Sequence, residues 1–270
     1  MKEESIRLLR YPGGKQRMLH YIMQYLPSRC GISGRFIEPF VGGAAVFWGL
    51  NPKKALLADL NSELITLYRG LRRHPLKVWE IFSSFPSTKR AYYRIRNVKT
   101  QPPDLASQAA RTLYLNRTCF KGMWRHNLDG QFNVGYGGQA RRWVISKETL
   151  LKVSKRLRGA LLRAADFEEI IKHSTRDDFL FLDPPYRPGE RELLHNHYVH
   201  SKFTYADHKR LAKTLKIASG RGVQWAMTMS SHPDILRQYR HNTIIPLPKG
   251  TGKKPGILTS NSGEVLILNY

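Results

Sequence analysis

Acidic residues are scarce in this chain: 20 Asp plus Glu stand against 45 Lys plus Arg in 270 residues, a formal net charge of +25. The basic residues are spread through sequence that reads as folded and are not confined to a tail. Such a surface attracts polyanions over long range and binds phosphates by counterion release. Ribosomal proteins and membrane-surface proteins also tolerate it, so charge alone points to nucleic acid without choosing a task. Cysteine is nearly missing. Cys30 and Cys119 are the only two, with no CxxC pair or Cys/His cluster, which leaves no basis for a disulfide framework or a zinc site. No apolar run approaches the roughly 20 residues that span a bilayer, and the opening MKEESIRLLR has no signal-peptide core. A cytoplasmic, monomeric protein with no membrane and no metal is expected. Internal repeats and low-complexity tracts are absent as well.

What is present is an ordinary globular composition, with 41% hydrophobic and 11% aromatic residues. It suffices for one large domain, or one with a modest insert. Apolar residues at Met18, Ile22 and Leu26, with Leu19 and Met23, predict one helical face over 15–26. A short extended piece, Arg35–Glu38, runs into Pro39-Phe40-Val41-Gly42-Gly43, and Ala44–Phe47 reads as a helix start. Ala55–Asp59 reads as a buried strand ending on an acid, and Ser62–Leu71 as a helix. Strand, glycine turn, helix, and strand ending in Asp make the opening of a βαβ unit. From about Leu71 to Trp143 the chain changes to basic helical segments. A Gly/Asn/Arg/aromatic stretch, Gly122–Gly138, follows, whose Asp129-Gly130 pair signals a hairpin. Strands resume at 161–164, 179–182, 223–227 and 265–268, with helices near 167–173 and 205–219. The predicted organisation is a Rossmann-like α/β domain, 1–70 plus 147–270, interrupted by a basic helical and hairpin insert, 71–146.

Three segments carry chemistry. In Phe181-Leu182-Asp183-Pro184-Pro185-Tyr186 an apolar strand ends in an acid, and two prolines then take the chain rigidly off the strand tip. Ligands of open α/β sheets bind at the carboxyl ends of strands. There the strip offers the Asp183 carboxylate, the Pro184 carbonyl and the Tyr186 ring. Two acceptors and a stacking surface suit an exocyclic amine on a planar base, although the bare tetrapeptide is equally a strand-ending turn. In Glu38-Pro39-Phe40-Val41-Gly42-Gly43 the glycines allow close approach of a cofactor, and Asp59 at the next strand tip suits a ribose diol. The spacing is not GxGxxG, so a nucleoside cofactor without a pyrophosphate suits it better than NAD. Arg10-Tyr11-Pro12-Gly13-Gly14-Lys15 looks like a phosphate loop, but no glycine stands at the upstream Walker position and Gln16 follows the lysine, which excludes that reading.

Together these segments resemble the Dam-like family of N6-adenine-specific DNA methyltransferases, the D12, α-arranged class. Tyr11–Lys15 is similar to its N-terminal cofactor motif, Glu38–Gly43 to its glycine motif, Ala58-Asp59-Leu60-Asn61 to its ribose segment and Asp183–Tyr186 to its catalytic motif. Tyr114–Arg117 and Arg125–Val134 resemble its target-recognition segment. The resemblance implies a Rossmann-like S-adenosylmethionine-dependent methyltransferase domain with an inserted DNA-recognition domain. It implies methyl transfer to N6 of a flipped adenine in duplex DNA, at GATC or a related GA-containing site, with or without a companion restriction enzyme. The catalytic residues would be Asp183, Pro184 and Tyr186. The cofactor would meet Tyr11, Pro12, Lys15, Glu38, Pro39, Phe40, Gly42, Asp59 and Asp183, with Asp166 and Phe167 along its adenine. The DNA would meet Arg10, Asn116, Arg117, Phe120, Lys121, Met123, Arg125, Asn127 and Asn133. Arg125, with Arg10 second, is the candidate fork to a guanine edge.

Adenine N6 is paired inside a duplex, so an enzyme acting there must extrude the base. The chain departs from the family where a GATC reader commonly continues NVP: here Asn133-Val134 is followed by Gly135, and Lys121 stands for a usual amide. The Pro248–Ser262 stretch also departs from the family's Arg/Ser-rich segment, while Gly252-Lys253-Lys254 keeps its basic character. Tyr198–Thr204 is expected to order over the flipped base, and His195, His197 and His200 to face solvent or DNA instead of a metal. Cytosine N4 or an adenine in RNA is the enzymatic alternative. A site-specific DNA-binding protein without catalysis is the alternative of another class.

Overall fold

The computed structural model describes residues 6–10, 15–86, 88–98, 100, 102–127, 130–138, 145–186, 203–250, 258–259 and 263–270. They form two compact units. One holds the described parts of Met1–Gly14 and Asn61–Leu162, the other those of Lys15–Leu60, Arg163–Leu193 and Phe203–Tyr270.

The second unit is built on strands that the alternation of apolar runs and acids had marked: β1 (Phe36–Glu38), β2 (Ala55–Asp59), β3 (Ala160–Ala164), β4 (Phe179–Leu182) and β5 (Gln224–Ser230). Two more strands, β6 (Thr243–Pro246) and β9 (Glu264–Leu268), complete a seven-stranded sheet of order β3-β2-β1-β4-β5-β9-β6, and the chain passes between the units within β3. Lys249–Gly250 (β7) and Leu258–Thr259 (β8) form a separate two-stranded pair. Central β1 and β4 are buried at every position, as parallel strands covered on both faces require. Strand β1 runs parallel to β2 with Glu38 opposite Leu57, and β4 runs parallel to β5 with Leu182 opposite Met227. Strand β9 is antiparallel, with Glu264 opposite Ser230. The carboxyl ends of β1, β2, β4 and β5 therefore share one edge with the amino end of β9. Its core joins Ile37, Leu56, Leu180 and Leu182 to Leu211, Leu215, Trp225 and Met227.

Helices cover the sheet where capping and periodicity coincide. Helix α8 (Phe167–Lys172) starts on Asp166, whose carboxylate accepts from the Glu168 N–H. Helix α9 (Tyr205–Gly220) starts with a Thr204/Asp207 capping box. The helix predicted over 15–26 is instead a 3-10 turn, Lys15–Arg17, and one turn of helix α1 (Leu19–Ile22). No side chain caps α1 at Met18, and Pro27 limits continuation. Helix α2 (Ala45–Leu50) follows the glycine turn, and α10 (Pro233–Leu236) follows β5. Strand β6 was not anticipated: its half-buried, proline-ended residues Thr243–Pro246 give little period-2 signal.

The first unit is helical, with α3 (Ser62–Arg73), α4 (Pro75–Ser84), α5 (Lys89–Arg96), α6 (Leu105–Thr118) and α7 (Lys147–Leu157). Helix α6 lies at its centre, packed by α3 and α4, and from Ala109 to Thr118 every residue is buried. A Cβ on Gly70 would collide with that of Ala109, so the glycine sets how near α3 and α6 approach. The unit takes in α3 and α7 and is wider than the 71–146 insert.

Candidate active site

The strand tips bring Asp183 among three donors, all aimed at one oxygen. Lys15 Nζ lies 2.9 Å from Asp183 Oδ1, the Thr228 hydroxyl donates to the same atom at 2.6 Å, and the Tyr186 hydroxyl is 3.5 Å away. Parallel pairing makes this arrangement: with Leu182 opposite Met227, the next residues along, Asp183 and Thr228, stand side by side. Asp183 Oδ2 has no hydrogen-bond partner among the described residues, and the side chain is 26% exposed. Glu264 closes the cluster, with Oε2 at 3.3 Å from the Tyr186 hydroxyl and 3.7 Å from Lys15 Nζ. The Lys15 ammonium also sits 4.7 Å from the Tyr186 ring centroid, a cation–π contact. Burial first, then the charges of Asp183 and Glu264, push the Tyr186 phenol well above its ordinary value, so it remains a donor. Pro184 is buried and Pro185 exposed.

Beside this cluster the tip of β1 turns sharply. Gly42 adopts φ +42° and Ala44 lies in the left-handed region at φ +55°, a conformation that strains any residue with a Cβ. The Gly42 N–H donates to Asp59 Oδ2 at 3.1 Å, tying the β1 turn to the β2 acid. Glu38 is 3% exposed and Pro39 is buried. The Glu38 carboxyl accepts from the Phe47 N–H, and burial followed by the negative Asp183 holds it well above the usual carboxylate range. Its Oε2 has no hydrogen-bond partner among the described residues.

Asp166 and Phe167 lie past β3. The Phe167 ring stacks on Phe40 at 5.3 Å and meets Phe203 at 5.9 Å, while Arg210 lies 4.1 Å from its centroid. Arg210 grips Asp166 with both nitrogens, at 2.6 and 3.0 Å. Burial raises the Asp166 carboxyl, but Arg210 and the Glu168 N–H outweigh it and hold the group below its ordinary value.

In the helical unit the segment after α6 folds back on itself. Antiparallel bridges join Cys119 to Tyr136 and His126 to Phe132, in place of a continuous ladder. Side chains alternate along it: Trp124, His126, Phe132 and Val134 are buried, whereas Met123, Arg125, Asn127 and Asn133 are half-exposed. Four of the expected DNA contacts therefore share one face. Arg125 Nε donates to Asn133 Oδ1 at 2.8 Å, fixing that guanidinium across the turn. Phe120 is 47% exposed and Lys121, exposed, takes φ +53°. Asn116 and Arg117 depart from the expectation, because both are buried. Asn116 instead clamps the Arg10 backbone, accepting from its N–H at 2.9 Å and donating to its carbonyl at 2.8 Å. Arg10 in turn donates to the Cys119 carbonyl at 3.1 Å. The burial of Asn116 and Arg117 follows from the central place of α6 in the helical unit.

Tyr11 and Pro12 lie outside the described residues, as do Asp129, His195, His197, His200 and residues 198–202. Thr228 and Glu264 were missed by sequence reasoning, since nothing local marks a threonine inside β5 or an acid opening β9. Among the described residues no group of three His, Cys, Asp or Glu could hold a metal, and no helix is long and apolar enough to cross a membrane.

Glu38 and Asp59 end parallel strands and Asp183 follows the end of β4, so all three stand at the edge where open α/β sheets bind ligands. Residues 11–249 match the family of D12 class N6 adenine-specific DNA methyltransferases. The chain belongs to that family and is an adenine-specific DNA methyltransferase. It is 30% identical to a type II methyltransferase of Lactococcus lactis subsp. cremoris over 97% of this chain and 94% of that one. It is 34% identical to a DNA N-6-adenine-methyltransferase of Escherichia phage P1, over 86% of this chain and 31% of that longer protein. A DNA adenine methylase of Vibrio cholerae is 29% identical over 86% of this chain and 84% of its own.

Proposed function

We propose that the chain uses S-adenosylmethionine to methylate N6 of an adenine flipped out of duplex DNA, and that Asp183 Oδ2 is the atom that receives the amine. The observation that carries this is the asymmetry of the Asp183 carboxylate, with Oδ1 held by Lys15, Thr228 and Tyr186 and Oδ2 left without a hydrogen-bond partner among the described residues. Accepting one N6 hydrogen at Oδ2 and the other at the Pro184 carbonyl orients the nitrogen lone pair away from both. Tyr186 offers its ring to the base. Asp183 takes up or relays the proton that the nitrogen sheds. No metal and no covalent enzyme intermediate are needed.

The residues present suit the cofactor. A glycine turn at Gly42, the Asp59 carboxylate and an acidic floor containing the unpartnered Glu38 oxygen match a ribose diol and a positive charge. The Phe40–Phe167 pair beside Asp166 matches a flat heteroaromatic ring. When bound, S-adenosylmethionine supplies the electrophilic methyl. Lys15 neutralises Asp183 before that, and Glu264 holds Lys15 and Tyr186 in register.

For DNA, we assign recognition to the helical unit, residues 71–146 with the flanking α3 and α7. Met123, Arg125, Asn127 and Asn133 face the bases, and the basic surface contacts phosphates. Phe120 offers an apolar wedge and Lys121 a charge, and Asn116 and Arg117 act indirectly through Arg10. A GA-containing site is expected. Digestion of DNA from a methylation-free host expressing the chain, with nucleoside mass spectrometry, should yield N6-methyladenine, and long-read sequencing should place it at one motif. Asp183→Ala should abolish the product while DNA affinity stays within about threefold. N4-methylcytosine as the product, or unchanged turnover in Asp183→Ala, would overturn the proposal.

A further inference from the structure

Three carboxylates meet at the strand tips: Glu38, Asp183 and Glu264. Asp183 is matched by Lys15 and Thr228, and Glu264 by Lys15 and the Tyr186 hydroxyl. Glu38 is matched by less. It is 3% exposed, one oxygen has no hydrogen-bond partner among the described residues, and the Phe47 N–H is its backbone support. Of the elements around it, α2 (Ala45–Leu50) carries no charged residue and the β2 tip contributes another acid, Asp59; the 3-10 turn packed on α2 brings the Lys15 ammonium, which is engaged by Asp183 and Glu264. Burial and the Asp183 charge both disfavour the ionised form of Glu38, and the single Lys15 charge, shared by Asp183 and Glu264, is too little to balance three carboxylates.

We infer that Glu38 holds a proton in the cofactor-free enzyme and releases it when the cofactor's fixed positive charge enters, so that Glu38 matches the charge of the methyl donor but not of the spent cofactor. This rests on S-adenosylmethionine being the cofactor. On binding, the Glu38 O–H bond breaks, its electron pair stays on the carboxylate oxygen and the proton goes to buffer. After transfer the sulfur is neutral and Glu38 takes a proton back. Glu38 thereby favours the charged cofactor over the product and helps the product leave.

Isothermal titration calorimetry of the full chain, at one pH in buffers of different ionisation enthalpy, counts the protons. S-adenosylmethionine should release close to one proton more than S-adenosylhomocysteine, and sinefungin, whose amine replaces the sulfonium, should behave like the former. Glu38→Gln should bind both with that difference abolished, its fold checked by circular dichroism. A second measurement needs no variant. Release of one proton means that the Kd of S-adenosylmethionine tightens about tenfold per pH unit of rise, up to the Glu38 titration. The Kd of S-adenosylhomocysteine should lack that slope. Equal proton counts and slopes for the two ligands would overturn the inference while leaving the cofactor reading standing. Failure of either ligand to bind would overturn that reading and this inference together.

Discussion

Thr228→Val isolates one of the three donors to Asp183 without changing the size of a fully buried side chain. The lost bond is a 2.6 Å O–H donation to a carboxylate oxygen. Hydrogen bonds to charged groups contribute about 1.5–3 kcal/mol, and with Lys15 still in place the lower half of that range applies, about 2 kcal/mol. If that bond holds Asp183 in its productive orientation, the loss falls on the transition state, and kcat should drop about 30-fold. Stability should change by no more than about 1 kcal/mol, because Asp183 Oδ1 retains the charged Lys15 donor. Single-turnover transfer of a radiolabelled methyl at saturating DNA, beside calorimetric Kd values for the cofactor, separates the two effects. Thr228→Ser, which keeps the hydroxyl, should recover most of the rate. A Thr228→Val enzyme within twofold of wild type in kcat would refute the view that the Oδ1 anchors set the geometry of Oδ2.

Arg125→Ala should reduce discrimination between the methylated motif and single-base variants by about 10-fold or more, as loss of a forked base contact does. Competition binding on such duplexes measures this, and equal weakening on all sequences would make Arg125 a phosphate contact. Asn133→Ala, which removes the acceptor of the Arg125 Nε bond, should shift discrimination in the same direction by less. Asp178 accepts from the Arg35 and Thr175 N–H groups and from the Arg35 guanidinium. Burial opposes its ionisation, but these donors win and hold its carboxyl below the ordinary value. Its stabilising contribution is therefore complete above the unfolded carboxylate range, near pH 4, and is lost as pH falls below it. Asp178→Ala should cost about 2 kcal/mol at pH 7, read by chemical denaturation, with the gap to wild type narrowing below about pH 4. A pH-independent gap would remove the carboxylate from the account.

The sheet was legible wherever a short apolar run stopped on a punctuating residue. Ala55–Asp59 and Phe179–Leu182 were bounded to the residue, because burial on both faces leaves an uninterrupted apolar run and an acid or proline ends it. The helix over 15–26 was not legible in its true extent, because its apolar period persists where no cap supports a long helix. Met123, Arg125, Asn127 and Asn133 were picked by resemblance, and their common face followed once alternation along the segment was seen. Asn116 and Arg117 came from the same motif. Helix α6 carries polar residues into its buried centre, where Asn116 meets backbone groups distant in sequence, and a polar side chain in a helix does not announce which face is covered.

Asp183 at a strand end, two prolines after it, the glycine turn and the acid at Asp59 are local features, so the sequence by itself determined the class of chemistry and named candidate positions for it. The partners of Asp183 are another matter. Thr228 reaches it through the register of β4 on β5, and Glu264 arrives because β9 runs antiparallel with its first residue opposite Ser230. A one-residue slip would turn both away. Strand pairing that brings together residues 45 to 78 apart in sequence is set by how the sheet buries its faces, and that packing decided which of the two Asp183 oxygens is anchored and which one has no partner among the described residues.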